Sequence, residues 1–286
     1  VKTEKLAREL STQALLWFEG LYMTKDMLSV TGGTKIFYGG TLDERRALDG
    51  LDVSLKPGDF CIVIGSNGAG KSSFLNAVSG KLPLDSGRIT IDGQDVTRLN
   101  AHRRAQFIAR VFQDPMIGTA PTMTIGENML LAELRGKPRG FSYGLGAARR
   151  AKYSQQLAEL NLGLEKRLDM QVGLLSGGQR QSLSLVMAVS TRPKLLLLDE
   201  HTAALDPRTA KLVMDTTVRA VEALQLTTLM VTHNMEHAIR YGNRIIMMDA
   251  GKVLVEIGQE EKNGITVADL IERFHTKSDA IALQGA

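Results

Sequence analysis

The sequence predicts an α/β fold in which a mostly parallel sheet is covered by helices, an N-terminal antiparallel β-subdomain precedes it, and an α-helical subdomain is inserted into it. Three observations in the 286 residues carry this reading. Short apolar runs alternate with helical patterns toward the end of the chain, as a parallel sheet covered on both faces requires. From Met27 to about Asp92 the pattern is strand-rich and punctuated by the turns "KPGD" and "LDSG". Between Asp114 and Leu174 the strand signals fade and helical ones replace them.

Residues 1–26 read as an N-terminal extension. They are charged from the start and lack the apolar core of a signal peptide, while Leu6, Leu10, Ala14 and Trp17 fit a short amphipathic helix. The main domain spans 27–258. Its first strands are "MLSVTGG", "RRALDGLDVSL" and "DFCIVIG", with "RITIDG" after an intervening helix. The helical subdomain, about 114–175, holds "TIGENMLLAELRG" and "ARRAKYSQQLAELNL", joined by the basic loop "GKPRGFSYGLG". Strand and helix then alternate again: "KLLLLDE", a helix from Pro207 to Ala223, "TTLMVTH", a helix, and "RIIMMDAG". The tail, 259–286, carries a final helix opened by Thr266.

Composition narrows the function without choosing it. Hydrophobic residues at 43% and charged ones at 23% are ordinary for a globular protein. Lys and Arg number 35 against 31 Asp and Glu, a mild excess that does not demand a nucleic acid partner. The single cysteine, Cys61, excludes an internal disulfide and sits in a buried-strand pattern. No run approaches the roughly 18 apolar residues of a membrane span, so work at a membrane would need another chain to cross it.

"GSNGAGKSS", Gly65 to Ser73, is a phosphate loop of the form G-x-x-x-x-G-K-[ST], with an apolar strand before it and a helix after it. Glycines 65, 68 and 70 let backbone N–H groups of Gly65, Ser66, Asn67, Gly68, Ala69 and Gly70 wrap a β-phosphate, and the helix N-terminus favours negative charge. Lys71 reaches toward the β- and γ-phosphates and the Ser72 hydroxyl toward Mg²⁺. The sheet around it is thus the core of a P-loop NTPase.

"KLLLLDE" delivers Asp199 and Glu200 to the ligand-binding edge of that sheet. Asp199 is placed to bind Mg²⁺ and Glu200 to orient or deprotonate an attacking water. Taken alone, the same spelling is a strand followed by a helix cap; the phosphate loop in the same sheet favours the catalytic reading. "VFQDP" ends a strand in Gln113, whose amide could hold water or Mg²⁺, and "LMVTHN" ends another in His233. In "TKIFYGG", Phe37 or Tyr38 could stack on a base, or either could be core. A second anion-friendly helix start, "LLSGGQRQ", has Ser176, Gly177, Gly178 and Gln179 but no lysine beside its glycines.

Six elements in one order, "GSNGAGKSS", Gln113, "LSGGQ", "LLLLDE", "AALD" and His233, resemble the Walker A, Q-loop, signature, Walker B, D-loop and H-loop of an ABC transporter ATP-binding subunit, from about Met27 to near Gly258. The resemblance implies that two subunits pack head to tail, and that the lysine-less signature of one completes the ATP site of the other. It makes Phe37, two positions after Lys35, the adenine-stacking residue ahead of Tyr38, and has Asp206 couple the two sites. Lys71, Gln113, Glu200 and His233 form the catalytic set, with Ser72, Gln113 and Asp199 around Mg²⁺. One departure stands out: His201 follows the Walker B glutamate where many members have proline. A neutral substitution is expected there.

The function implied is an ATPase that powers solute transport through separate permease subunits on the inner face of the cell membrane. A solute-binding protein and a second copy of this chain are the further partners, and no specific nucleic acid is. "DEHTAALDP" resembles a bacterial group that imports small solutes such as amino acids. The rival readings are a soluble ABC-type ATPase acting on nucleic acid or ribosomes, and a regulatory switch without turnover. Neither a long coiled-coil insertion nor a tandem cassette supports the first, and the intact Glu200 and His233 oppose the second.

Overall fold

Two sheets organise the computed structural model, which describes residues 25–137, 144–160 and 162–284, with side chains to 277. The amphipathic helix expected before residue 25 and the middle of the basic loop, 138–143, lie outside the described residues. The first sheet is antiparallel and holds β1 (Leu28–Phe37), β2 (Arg45–Leu55), β4 (Ser86–Ile91) and β5 (Gln94–Asp95), in the order β2-β1-β4-β5. Leu28 and Val30 alternate with less buried neighbours, which turns one face of β1 to the core.

The second sheet runs β10-β9-β3-β8-β7-β6. Its strands are β3 (Phe60–Gly65), β6 (Ile108–Val111), β7 (Leu195–Asp199), β8 (Thr227–Val231), β9 (Arg244–Asp249) and β10 (Lys252–Ile257). All neighbours pair in parallel except β9 with β10. Strands β3 and β7 are buried along nearly their whole length, as their unbroken apolar spelling requires when both faces are covered. In a parallel sheet the carboxyl ends of the strands share an edge. That edge receives the phosphate loop after β3, Asp199 and Glu200 after β7, and His233 two residues beyond β8.

Helix α1 (Lys71–Ser79) leaves the phosphate loop and ends at Gly80 in the left-handed conformation. A one-turn α2 (Ala101–Arg104) leads into β6. The helical segment comprises α3 (Ile125–Glu133), α4 (Ala147–Ala158) and two short 3₁₀ turns, Leu164–Lys166 and Val172–Leu174. Thr124 opens α3 through a capping box with Glu127. Helix α5 (Gly177–Val189) returns to the sheet, and α6 (Pro207–Leu224) follows β7 with Asp206 as N-cap and Pro207 in its first turn. The chain closes with α7 (Met235–Arg240), α8 (Gln259–Lys262) and α9 (Val267–Gln284), the last opened by reciprocal Thr266–Asp269 hydrogen bonds.

Three apolar cores result among the described residues. One lies between the two sheets around α1 and includes Phe74, Leu75, Leu195 and Ile246. A second covers the other face of the large sheet, with Ile62, Leu196, Met214 and Met247. The third belongs to the helical segment, around Ile125, Met129, Tyr153 and Leu157. Helix α5 serves two of them, giving Leu185, Ala188 and Val189 to the second and Leu183, Val186 and Met187 to the third.

Candidate active site at the sheet edge

Gly65 and Gly70 set the shape of the phosphate loop. A Cβ on Gly65 would meet the Met248 carbonyl oxygen at 2.1 Å, and one on Gly70 the Ala47 carbonyl oxygen at 2.4 Å. Both have positive φ, 154° and 99°. Glycine is therefore required by contact as well as by conformation. The loop closes on itself through Ala69 N–H to the Ser66 carbonyl, and Ser66 Oγ donates to Asp249 Oδ1 at 2.9 Å.

Lys71 opens α1, yet only 7% of it is exposed. Its Nζ donates to the Gly65 carbonyl at 2.7 Å and the Ser66 carbonyl at 2.8 Å, which draws the ammonium across the inside of the loop. Burial lowers its pKa, and the Glu200 carboxylate opposes that shift. The loop opens onto a cleft of about 250 Å³ lined by Phe37, Arg45, Ala47, Asn67 through Ser73, and Glu200. Phosphate-binding backbone, a hydroxyl at Ser72, an aromatic ring and a carboxylate thus meet in one cavity. Triphosphate geometry explains that combination.

Glu200 leaves β7 in the left-handed conformation, φ 42°, with its N–H donating to the Val231 carbonyl at 3.0 Å. This turn aims the carboxylate along the sheet edge rather than up one face. His233 Nδ1 lies 3.2 Å from Glu200 Oε2. The imidazole is held there by its own loop: Thr232 N–H donates to the Val63 carbonyl, and Asn234 N–H to Thr232 Oγ1.

Asp199 sits one residue back and faces Arg110 of β6, whose Nη2 donates to its Oδ2 at 2.6 Å. Arg110 also donates from Nη1 to Asn76 Oδ1 at 2.8 Å and rests over the Phe112 ring. The guanidinium thereby ties the phosphate-loop helix, the acidic strand and the segment leading to Gln113. Gln113 itself lies two residues past the end of β6 and is exposed.

The sequence-predicted residues divide into two groups. Phe37, Asn67 through Ser73 and Glu200 converge on the cleft, and His233 and Gly65 and Ser66 support it. Tyr38 does not line it and is 72% exposed, so the ring inside is that of Phe37, with Lys35 Nζ 5.8 Å from its centre. Gln113, Asp199, Ser176–Gln179 and Asp206 do not line it either. Ser176 caps α5 with Gln179, and Asp206 accepts from Thr209 N–H at 3.1 Å. In the capping box, Gln179 Oε1 takes the Ser176 N–H and Ser176 Oγ takes the Gln179 N–H. The two donors between them, Gly177 N–H and Gly178 N–H, remain directed at whatever meets this end of the helix.

Sequence reasoning missed Arg45 and Arg110. Arg45 lines the cleft and reaches toward the Gly68 carbonyl at 3.4 Å. Nothing in the local spelling of β2 marks it. Arg110 had a signal: a charge inside the apolar strand "FIARVF" needs a buried partner.

The Ser72 hydroxyl inside the cleft is an oxygen donor of the kind magnesium takes beside a nucleotide's phosphates, while Asp199 lies outside the cleft lining with its Oδ2 engaged by Arg110. No cage of three or more His, Cys, Asp or Glu side chains exists among the described residues, and such an ion needs none.

The family model described as ABC transporter matches residues 48–203, more than half of the chain. The chain belongs to the ABC transporter family. It is 43% identical over 249 residues to the tyrosine transport ATP-binding protein of Clostridioides difficile, covering 87% of this chain and 98% of that one. It is 35% identical to the lipoprotein-releasing system ATP-binding protein LolD of Ruegeria pomeroyi, over 82% of this chain and all of that one. Among solved structures it resembles the dimeric post-hydrolysis state of the ATP-binding cassette MJ0796 bound to ADP and Pi, with TM-score 0.70, 29% identity and 82% and 99% of the two chains covered. The ADP conformation of the cassette MJ1267 aligns with TM-score 0.71 and 26% identity, over 87% of this chain and 98% of that one. The protein is accordingly an ATP-binding and ATP-hydrolysing subunit of an ABC transporter, and its fold is the P-loop NTPase core expected of one. No helix among the described residues is long and apolar enough to cross a membrane.

Proposed function

We propose that Glu200 is the general base of ATP hydrolysis, because its carboxylate lines the phosphate cleft and is braced by His233 Nδ1. Water attacks the γ-phosphorus, its proton passes to Glu200, the bond to the bridging oxygen breaks, and ADP and phosphate result. Lys71 and the N–H groups of the phosphate loop offset the charge on the leaving side. Phe37 stacks on the adenine, and His233 holds the carboxylate in line. Ser72, Gln113 and Asp199 are the residues that would hold Mg²⁺, which neutralises charge between the β- and γ-phosphates when bound.

The signature at Ser176–Gln179 serves a second copy of the chain. Its two leading helix N–H groups, at Gly177 and Gly178, do not line the cleft of their own chain, and the similar structures include a dimeric cassette. Asp206 links the two sites. The dimer closes on ATP and opens after hydrolysis, and that motion drives separate permease subunits at the inner face of the cell membrane. The groove of about 510 Å³ between α2 and the end of α3, lined by His102, Arg103, Leu131 and Arg135, is the docking place for a cytoplasmic permease segment. Transport is import of a small solute with the help of a solute-binding protein, and the tyrosine-transport relative favours an amino acid.

Glu200→Gln decides the assignment. It should keep ATP affinity, lower turnover at least about 100-fold, and accumulate as a dimer with Mg·ATP in sedimentation. Undiminished turnover would remove the base, and a strictly monomeric variant would remove assembly in trans.

A further inference from the structure

His201, the residue that departs from the family's proline, is 2% exposed. Its Nε2 lies 3.1 Å from Thr217 Oγ1, on the fully buried face of α6. The Thr217 hydroxyl already donates to the Val213 carbonyl at 2.8 Å. A hydroxyl has one proton, so toward His201 it can only accept. The imidazole therefore donates from Nε2.

The position in the chain gives this bond its consequence. Glu200 occupies a left-handed backbone that is strained for a non-glycine residue and persists only where the surroundings impose it. The turn is held on one side by Glu200 N–H to Val231 and within itself by Ala203 N–H to the Glu200 carbonyl, 2.9 Å. On the far side, Asp206 caps α6. Between these points, His201 is the side chain that reaches into the body of α6, about three turns beyond its start. A proline could fill the space but could not make the bond.

We propose that His201 is a positioning residue for hydrolysis, its Nε2–H bond to Thr217 fixing the turn that aims the Glu200 carboxylate at the phosphate cleft. This rests on the reading of Glu200 as the base. It assigns the departure from proline a role in turnover rather than in binding, since no atom of His201 lines the cleft.

The test compares His201→Ala, His201→Gln and Thr217→Val in the full chain assembled with its membrane subunits, with Glu200→Gln alongside. His201→Ala and Thr217→Val should each lower kcat about tenfold at unchanged KM for ATP, and the double variant should lose no more than either one. His201→Gln, whose amide can donate to the same hydroxyl, should recover most of the rate. Fluorescent-nucleotide binding and a thermal melt establish that each variant is folded. Unchanged kcat, a KM that rises with falling melting temperature, or a loss that glutamine does not restore would each overturn the role. If Glu200→Gln stays active, the base assignment itself fails; if it is dead while the His201 variants match the parent, only the positioning role does.

Discussion

Lys71 pairs a buried ammonium with two backbone carbonyls of its own loop, so it organises the loop as well as its ligand. Lys71→Ala should therefore weaken ATP binding by at least tenfold and abolish hydrolysis, measured by nucleotide titration and phosphate release. Unchanged turnover would dismiss the phosphate-loop assignment. Asp85 acts at the other end of the cleft: it accepts from Lys35 Nζ at 2.7 Å and from Ile36 N–H at 2.6 Å, next to Phe37. Those two donors hold its carboxyl below the usual 3.8. A depressed carboxyl contributes stability that is whole above about pH 4 and fades as pH falls through the folded value. Asp85 is exposed, so Asp85→Asn should cost only roughly 0.2–1 kcal/mol at neutral pH. The difference between its stability and the parent's should shrink as pH falls below about 4, and a difference that grows on acidification would contradict the pairing.

Elements place these residues where single letters could not. The phosphate loop was legible because strand, glycines and helix are contiguous, and β7 announced itself by four leucines before two acids. Arg110 and Asp199 are 89 residues apart, and only the parallel pairing of β6 with β7 joins them. The choice between Phe37 and Tyr38 was likewise open in the sequence; in the structure Phe37 lines the cleft while the end of β1 leaves Tyr38 exposed at φ 55°. Strands also ended earlier than their apolar spelling implied: Gln113 and His233 stand two residues beyond β6 and β8. The same tight geometry makes Gly70→Ala costly. With φ 99° and the Ala47 carbonyl 2.4 Å from a new Cβ, the substitution should destabilise by about 2–3 kcal/mol and impair nucleotide binding. Denaturant melts with and without ATP measure both, and a neutral result would show that the loop can relax.

Over the whole molecule, the helical segment possesses a core of its own, distinct from the two that flank the large sheet. The fade of strand signals marked the segment, but periodicity could not reveal that its core borrows one side of α5. Leu157 is fully buried there, far in sequence from any cleft residue. Leu157→Ala should cost about 2–5 kcal/mol, unfolding the helical segment first while ATP affinity in the sheet edge persists. Segment-resolved hydrogen exchange would show this, and uniform loss of protection in all three cores would argue for a single cooperative unit.

Helix α5 begins at Gly177 and is gripped from Leu183 to Val189 by both the helical core and the sheet core. Its leading tip is therefore not free to wander like a loop. It behaves as the short arm of a rocker whose fulcrum is the seam between two packed bodies, so pressure on the helical block must swing the tip Gly177–Gly178 through space as a rigid consequence.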